Sequence, residues 1–225
     1  IARRWLKAGA SGWRLDVADE LPDAFLDKLR KSVKSSFPDA AIFGEVWEDA
    51  TTKISHGGRR RYLLGKQLDS VMNYPLRDAL IAFVKNGDAL SLAVTMEKTV
   101  LRYPKPSVDI LMNFLSTHDI ERALTRLAGE EIPAEDKDRQ AVSALSSDEL
   151  QRGLAMLELA YTVLFFLPGV PCIYYGDEIG MQGYRDPFNR GCFDWNAVEG
   201  NLLRETITEL SRLRKRLICT KEGSY

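Results

Sequence analysis

The 225 residues carry 31 basic and 32 acidic side chains, a formal net charge of −1, with 45% hydrophobic and 28% charged residues. This is the composition of a globular protein with enough apolar material for a core, and the near-neutral charge gives no electrostatic case for nucleic acid or an anionic membrane surface. No apolar run approaches the roughly 18 residues of a membrane span. Cys172, Cys192 and Cys219 are too few and odd in number for a disulfide scaffold, and they point to a reducing, cytoplasmic setting. At about 150 residues per domain the length fits one large unit or two small ones. The chain opens at Ile1 with neither methionine nor targeting signal, which reads as a processed chain or a fragment.

In chain order, Ala2–Ala8 reads as a helix tail stopped by Gly9, and Gly12–Ala18 as a short strand. Between Asp23 and Ser35, Phe25, Leu26, Leu29 and Val33 fall at helical spacing, and Pro38 ends the run. Ala40–Val46 is the next strand. A loop with Gly57, Gly58 and Arg59–Arg61 follows, then a short strand at Asp69–Asn73. Pro75 opens a helix with Leu76, Leu80 and Val84 on one face. A second helix spans Ala89–Leu101, and the two prolines of Tyr103–Pro106 break it.

Asp109–Leu115 is a compact apolar strand. Gly129–Ser147 is charged and reads as a mobile surface excursion or a short helix. Ser146 and Glu149 form a capping box for the helix that runs to Leu167. Pro171–Tyr175 is a strand, and Leu202–Leu217 an amphipathic final helix. Strands alternating with helices predict an α/β fold with a parallel sheet, either doubly wound or part of a barrel.

Three carboxylates sit at or just past the ends of apolar strands: Asp16 in GWRLDVADE, Glu45 in FGEVW and Asp119 in FLSTHDIER. Acidic residues are depleted in strands and rarely buried unpaired, so packing explains this placement poorly. Arg14 shares a strand face with Asp16, and a neighbouring arginine keeps a carboxylate ionised, as a nucleophile requires. Glu45 has apolar neighbours on both sides, which favour the protonated carboxyl of a general acid. His118 supplies a donor suited to a sugar hydroxyl. Each residue alone also fits a structural role: an ion pair for Arg14–Asp16, a strand end for Glu45, a core histidine for His118. Paired carboxylates with exposed aromatics (Trp13, Trp47, Tyr74) point to carbohydrate chemistry.

These stretches resemble the α-amylase family of glycoside hydrolases, more narrowly its neopullulanase, cyclomaltodextrinase and maltogenic amylase group. GWRLDVADE, FGEVW and FLSTHDIER resemble the motifs of the fourth, fifth and seventh barrel strands, in family order; VMNYPLRDAL, PGVPCIYYGDEIGM and DPFNRGCFDW fit the narrower group. The resemblance implies a partial (β/α)8 TIM barrel, about its fourth to eighth strands with their helices. Residues 1–225 would form one catalytic domain without the first strands or the C-terminal β-sandwich. It implies a retaining hydrolase or transglycosylase of α-1,4 glucosidic bonds, with α-1,6 bonds, cyclodextrins and pullulan as further substrates. A non-catalytic glucan- or partner-binding barrel module is the alternative.

By the same resemblance Asp16 is the nucleophile, Glu45 the acid/base and Asp119 the transition-state stabiliser, with the Asp16 and Glu45 carboxyl groups about 5–5.5 Å apart. Substrate contacts fall to Arg14, His118, Trp47, Tyr74, Asp186 and Arg190. Trp47 also fits a packed strand-end aromatic, and Asp186–Arg190 a plain loop ion pair. Asp177 and Glu178 are expected to build a loop, and Cys172 and Cys192 to pack in the interior. The family's third-strand motif has no counterpart here, so no metal and no cofactor are expected in this chain; any calcium belongs to a full-length parent. Open barrel edges imply self-association and a feeble or inactive isolated chain.

Overall fold

The computed structural model describes residues 1–222, in two compact units. The first unit comprises Ile1–Leu76, Val94–Asn113 and Pro168–Val170. Its helices α1 (Ala2–Lys7) and α2 (Asp23–Lys34) flank β1 (Gly12–Leu15), which pairs in parallel with β2 (Ala41–Gly44). On α2 the buried stripe is Leu26 and Val33, with Leu29 partly buried between them, whereas Phe25 is exposed. The apolar face is therefore narrower than the sequence spacing predicts.

The predicted loop after β2 contains a small hairpin, β3 (Ile54–Ser55) with β4 (Gly58–Arg59). His56 and Gly57 both take positive φ, 51° and 78°. That is the geometry of the tight turns whose twist matches a hairpin.

β5 (Ser70–Val71) pairs in parallel with β2, giving the order β1-β2-β5. Met72 then bridges in parallel to Met112 of β6 (Met112–Asn113), and β6 pairs with β7 (Val170–Pro171). The succession β1, β2, β5, β6, β7 thus follows the chain, as repeated strand–helix units produce. Asp69, just before β5, ties three pieces together. It accepts from the Ile42 amide at 2.8 Å and pairs with Arg30 and Lys34, both at 2.8 Å. Burial pushes its carboxyl up, but Lys34 and Arg30 outweigh this and hold it below the usual range. Leu26, Val33, Ile42, Val46, Tyr62, Leu68 and Leu111 centre the core of this unit.

α3 (Tyr74–Asn86) and α4 (Ala89–Arg102) each pass from one unit into the other. The proline segment after α4 folds as a short helix, α5 (Lys105–Asp109), not a plain break.

Among the described residues the second unit comprises Arg77–Ala93, Phe114–Leu167 and 171–222. It holds α6 (Ala123–Ala128), α7 (Lys137–Val142), α8 (Ser147–Phe166), α9 (Leu202–Arg216) and α10 (Cys219–Glu222). The expected capping box opens α8, with the Ser146 amide donating to Glu149 at 2.9 Å and the Glu149 amide donating back to the Ser146 hydroxyl. α8 buries Leu157, Ala160, Tyr161 and Leu164 against α6 and α9. Gly153 permits the α6 contact: a Cβ there would stand 2.6 Å from Ala128 Cβ and 2.8 Å from Leu124 Cδ1. The strand expected at Pro171–Tyr175 stops at Pro171, because the chain turns at Tyr174, whose carbonyl accepts from the Asp177 amide at 3.1 Å.

Candidate active site

The first unit brings five of the predicted site residues together. The register Leu15↔Gly44 places Asp16 and Glu45 one residue past the C-terminal ends of neighbouring parallel strands. The Glu45 amide donates to the Leu15 carbonyl and the Ala18 amide to the Glu45 carbonyl, both at 3.0 Å. Gly44 leaves room for the packing beside it, since a Cβ would collide with Leu68 Cδ1 and stand 3.0 Å from Ala18 Cβ. Arg14 reaches both acids: Nη1 holds Asp16 Oδ1 in a short contact, and Nη2 lies 2.9 Å from Glu45 Oε1. The acids differ sharply in access, the Asp16 side chain being 71% exposed and that of Glu45 3%.

Glu45 does not have the apolar surroundings its sequence neighbours suggest. Its carboxylate accepts from the Val17 amide at 2.9 Å and the Tyr74 hydroxyl at 3.2 Å, besides pairing with Arg14. The neighbours in sequence, Ile42 and Val46, are buried, but their side chains serve the core while the Glu45 head meets donors.

Val17 makes its bond from a φ of +39°, a conformation that L residues avoid and β-branched ones most of all. Such strain persists where the surroundings over-determine it. Here the surroundings are the two Glu45 contacts, side chain to Val17 and backbone to Ala18. Nothing in the sequence marks Val17, since valine is an ordinary strand residue.

Of the three aromatics expected to be exposed, only Trp47 is, at 44%. Tyr74 is buried beneath it, the rings stacked with centroids 4.4 Å apart and planes 12° from parallel. Trp13 packs half-buried against the core of the first unit. The result is a single aromatic shelf, Trp47 on Tyr74, whose inner ring carries the hydroxyl bonded to Glu45.

The second unit brings together the other four. His118 Nε2 lies 3.2 Å from Asp119 Oδ2, and Arg190 Nη2 is 3.9 Å from Asp119 Oδ1. Arg190 Nε pairs with Asp186 at 2.8 Å and donates to the His118 carbonyl at 3.2 Å. The loop pair is therefore joined to the His118–Asp119 turn. All four side chains are 30–54% exposed, open to a ligand. Asn189, fully buried, fixes the loop by donating Nδ2 to the Thr117 and Ile120 carbonyls at 3.2 and 2.7 Å. The available signal was its place inside DPFNR.

Asp177 is structural, as expected, and is buried completely. It accepts from the Ser116 hydroxyl at 2.5 Å and the Tyr161 hydroxyl at 3.0 Å, and pairs with Arg122 at 3.2 Å. Burial pushes its carboxyl up to about 6 against these contacts. Cys172 is half-buried, but Cys192 is exposed, contrary to the interior position its sequence neighbours suggest. Among the described residues no group of three or more His, Cys, Asp and Glu could hold a metal ion, and no helix is long and apolar enough to cross a membrane.

Comparison with known proteins places the chain in a family. The family profile "Alpha amylase, catalytic domain" matches residues 1–219. Neopullulanase 2 of Thermoactinomyces vulgaris is 39% identical over all of this chain and 33% of its own length. A cyclomaltodextrinase of Geobacillus thermopakistaniensis is 35% identical over 99% of this chain and 33% of its own. Among solved structures, the cyclic α-maltosyl-(1→6)-maltose hydrolase of Arthrobacter globiformis superposes with a TM-score of 0.79 at 30% identity, covering 99% of this chain and 44% of that one. The chain thus spans about a third of the length of the curated relatives it matches. On this match the chain belongs to the α-amylase family, and its fold is of the TIM-barrel type.

Proposed function

We propose that this chain is the carboxylate-bearing part of the catalytic barrel of a retaining α-glucan hydrolase or transglycosylase. The observation that carries the reading is Arg14, whose guanidinium pairs with Asp16 through one nitrogen and Glu45 through the other. Two carboxyl groups thereby share one cation at the C-terminal edge of neighbouring parallel strands, one open to solvent and one enclosed, where barrel enzymes place their chemistry.

In the reaction an Asp16 oxygen attacks the anomeric carbon as the glycosidic C–O bond breaks, and the leaving oxygen takes the Glu45 proton. The Glu45 carboxylate then takes a proton from water or a sugar hydroxyl, whose oxygen attacks the same carbon and releases Asp16. Two displacements at one carbon retain its configuration. Asp119 and His118 hold sugar hydroxyls as charge develops, Asp186 and Arg190 contact donor-side units, and the Trp47–Tyr74 shelf receives the acceptor. The relatives' names, neopullulanase and cyclomaltodextrinase, support pullulan and cyclodextrins as substrates, and we extend the proposal to the α-1,4 bonds of maltooligosaccharides, with α-1,6 bonds in addition.

The finer fold reading belongs to the same proposal. Residues 1–225 are one stretch of the catalytic barrel, its fourth to eighth strands, supported by the succession β1, β2, β5, β6, β7 carrying the motifs in family order. Self-association is supported by β1, which pairs on one side only among the described residues. No metal or cofactor enters these steps, and three free cysteines support a cytoplasmic setting.

Product analysis of the whole protein on maltotriose, pullulan and a cyclodextrin tests the function. We expect α-configured products, and none from Asp16→Asn. Full turnover by that variant would remove Asp16 as nucleophile; saccharide binding without turnover in the unaltered protein would favour a binding module. Light scattering on the 225-residue chain tests the edges, a monomer at all concentrations counting against them.

A further inference from the structure

A cavity of about 410 Å³ lies in the second unit, between the chain following α6 and the Tyr184–Arg185 segment. Its volume is within the range of about 300–1,000 Å³ common to small-molecule sites. The wall includes Glu121, Arg126, Glu131, Gln140, Tyr184 and Arg185, none of them used above.

The charges of this wall are already matched. Glu121 pairs with Arg185 at 3.2 Å and Arg126 at 3.7 Å; Glu131 pairs with Arg126 at 3.0 Å and Lys85 at 3.4 Å; Glu130 pairs with Arg139 at 2.6 Å. Burial pushes the Glu121 carboxyl up, but a backbone hydrogen bond and the Arg185, Arg77 and Arg126 cations leave it below the usual range, so it is an acceptor at neutral pH. A charged ligand would lose its hydration here without gaining an unmatched counter-charge.

Gln140 adds an independent sign. It is 2% exposed, and its Nε2 donates to the Pro133 carbonyl at 2.6 Å, while its buried Oε1 has no partner. Buried acceptors in native structures are nearly always satisfied. A ligand with donors for Gln140 and Glu121 and acceptors for the guanidinium N–H groups would complement this wall. Hydroxyl groups do both. Ile132, Pro133 and the Tyr184 ring supply apolar faces on which the C–H face of a pyranose can rest.

We infer that this cavity binds a neutral saccharide of one or two rings, with Gln140 as its anchoring acceptor. The inference rests on the cavity wall and does not draw on Asp16 or Glu45. The test is titration of the ¹⁵N-labelled full chain with maltose, following the amides of Gly129, Glu130, Glu131, Ile132 and Ala134. We expect saturable shifts there, weakened about 10-fold in Gln140→Leu and lost in Ala134→Trp, which fills the cavity. Should one variant not fold, the other decides. Absence of saturable shifts, shifts that persist at unaltered affinity in a folded variant, or tighter binding of glucose 1-phosphate than of maltose would each overturn the inference.

Discussion

Val17 offers a test of the backbone that presents Glu45. Its φ of +39° is a conformation glycine adopts freely and other L residues do not. The left-handed region costs a non-glycine residue about 1–2 kcal/mol, while glycine's extra freedom in the unfolded chain costs about 0.5–1 kcal/mol. Subtracting the midpoints, Val17→Gly should be more stable than Val17→Ala by about 0.75 kcal/mol. This reverses the usual order of alanine over glycine. Comparing two truncations, rather than either with valine, removes the contribution of the side chain of Val17, a residue 40% exposed. Both variants keep the amide that donates to Glu45 Oε2. Equilibrium urea unfolding reads the difference, and thermal melts should show a gap of about 1–4 °C. An alanine variant as stable as the glycine variant, or more so, would mean that the turn after Asp16 is unstrained, and the reasoning would fail.

Three further outcomes follow from the same contacts. Burial lifts Asp177 from 3.8 to about 6, so the folded protein holds this proton more tightly than the unfolded chain does. The resulting stabilisation is complete below about pH 4 and fades as the pH rises through 6, by about 3 kcal/mol at most. Asp177→Asn should abolish that slope in urea titrations across the window, and an unchanged slope would assign it to another group. Gly44→Val would drive a side chain into Leu68 and Ala18 and should lower stability by about 1–3 kcal/mol; a neutral urea midpoint would contradict the close approach. Asn189→Ala should loosen the Asp186–Arg190 loop by removing its bonds to the Thr117 and Ile120 carbonyls, raising KM for maltotriose more than it lowers kcat; a fall in kcat alone would detach the loop from substrate binding.

Much of the site was legible because its chemistry is local. Arg14 and Asp16 share a strand face by their spacing, and Asp186 pairs with Arg190 four residues on, so neither contact needed tertiary information. The α8 capping box was readable for the same reason. Contacts between distant residues were not readable. Glu45 meets Tyr74 and the Val17 amide, each 28 or more residues away, and those donors replace the apolar setting its neighbours suggest. The same tertiary contact buries Tyr74 while leaving Trp47 exposed, a distinction that residue type alone does not make. In the fold, α5 and α6, of five and six residues, are too short to display a helical period. The β3–β4 hairpin turns on His56 at positive φ, where Asn or Gly is the usual signal.

The central claim is that Asp16 is the group that bonds to the sugar while Glu45 moves the proton. Trapping tests it most directly: the whole protein is treated with an activated fluoro-sugar that forms the glycosyl-enzyme but is hydrolysed slowly, then digested and sequenced by mass spectrometry. The account predicts one glycosyl group per active site, attached to the Asp16 carboxylate. A label on Glu45 or Asp119, or turnover with no covalent sugar at any residue, would contradict it.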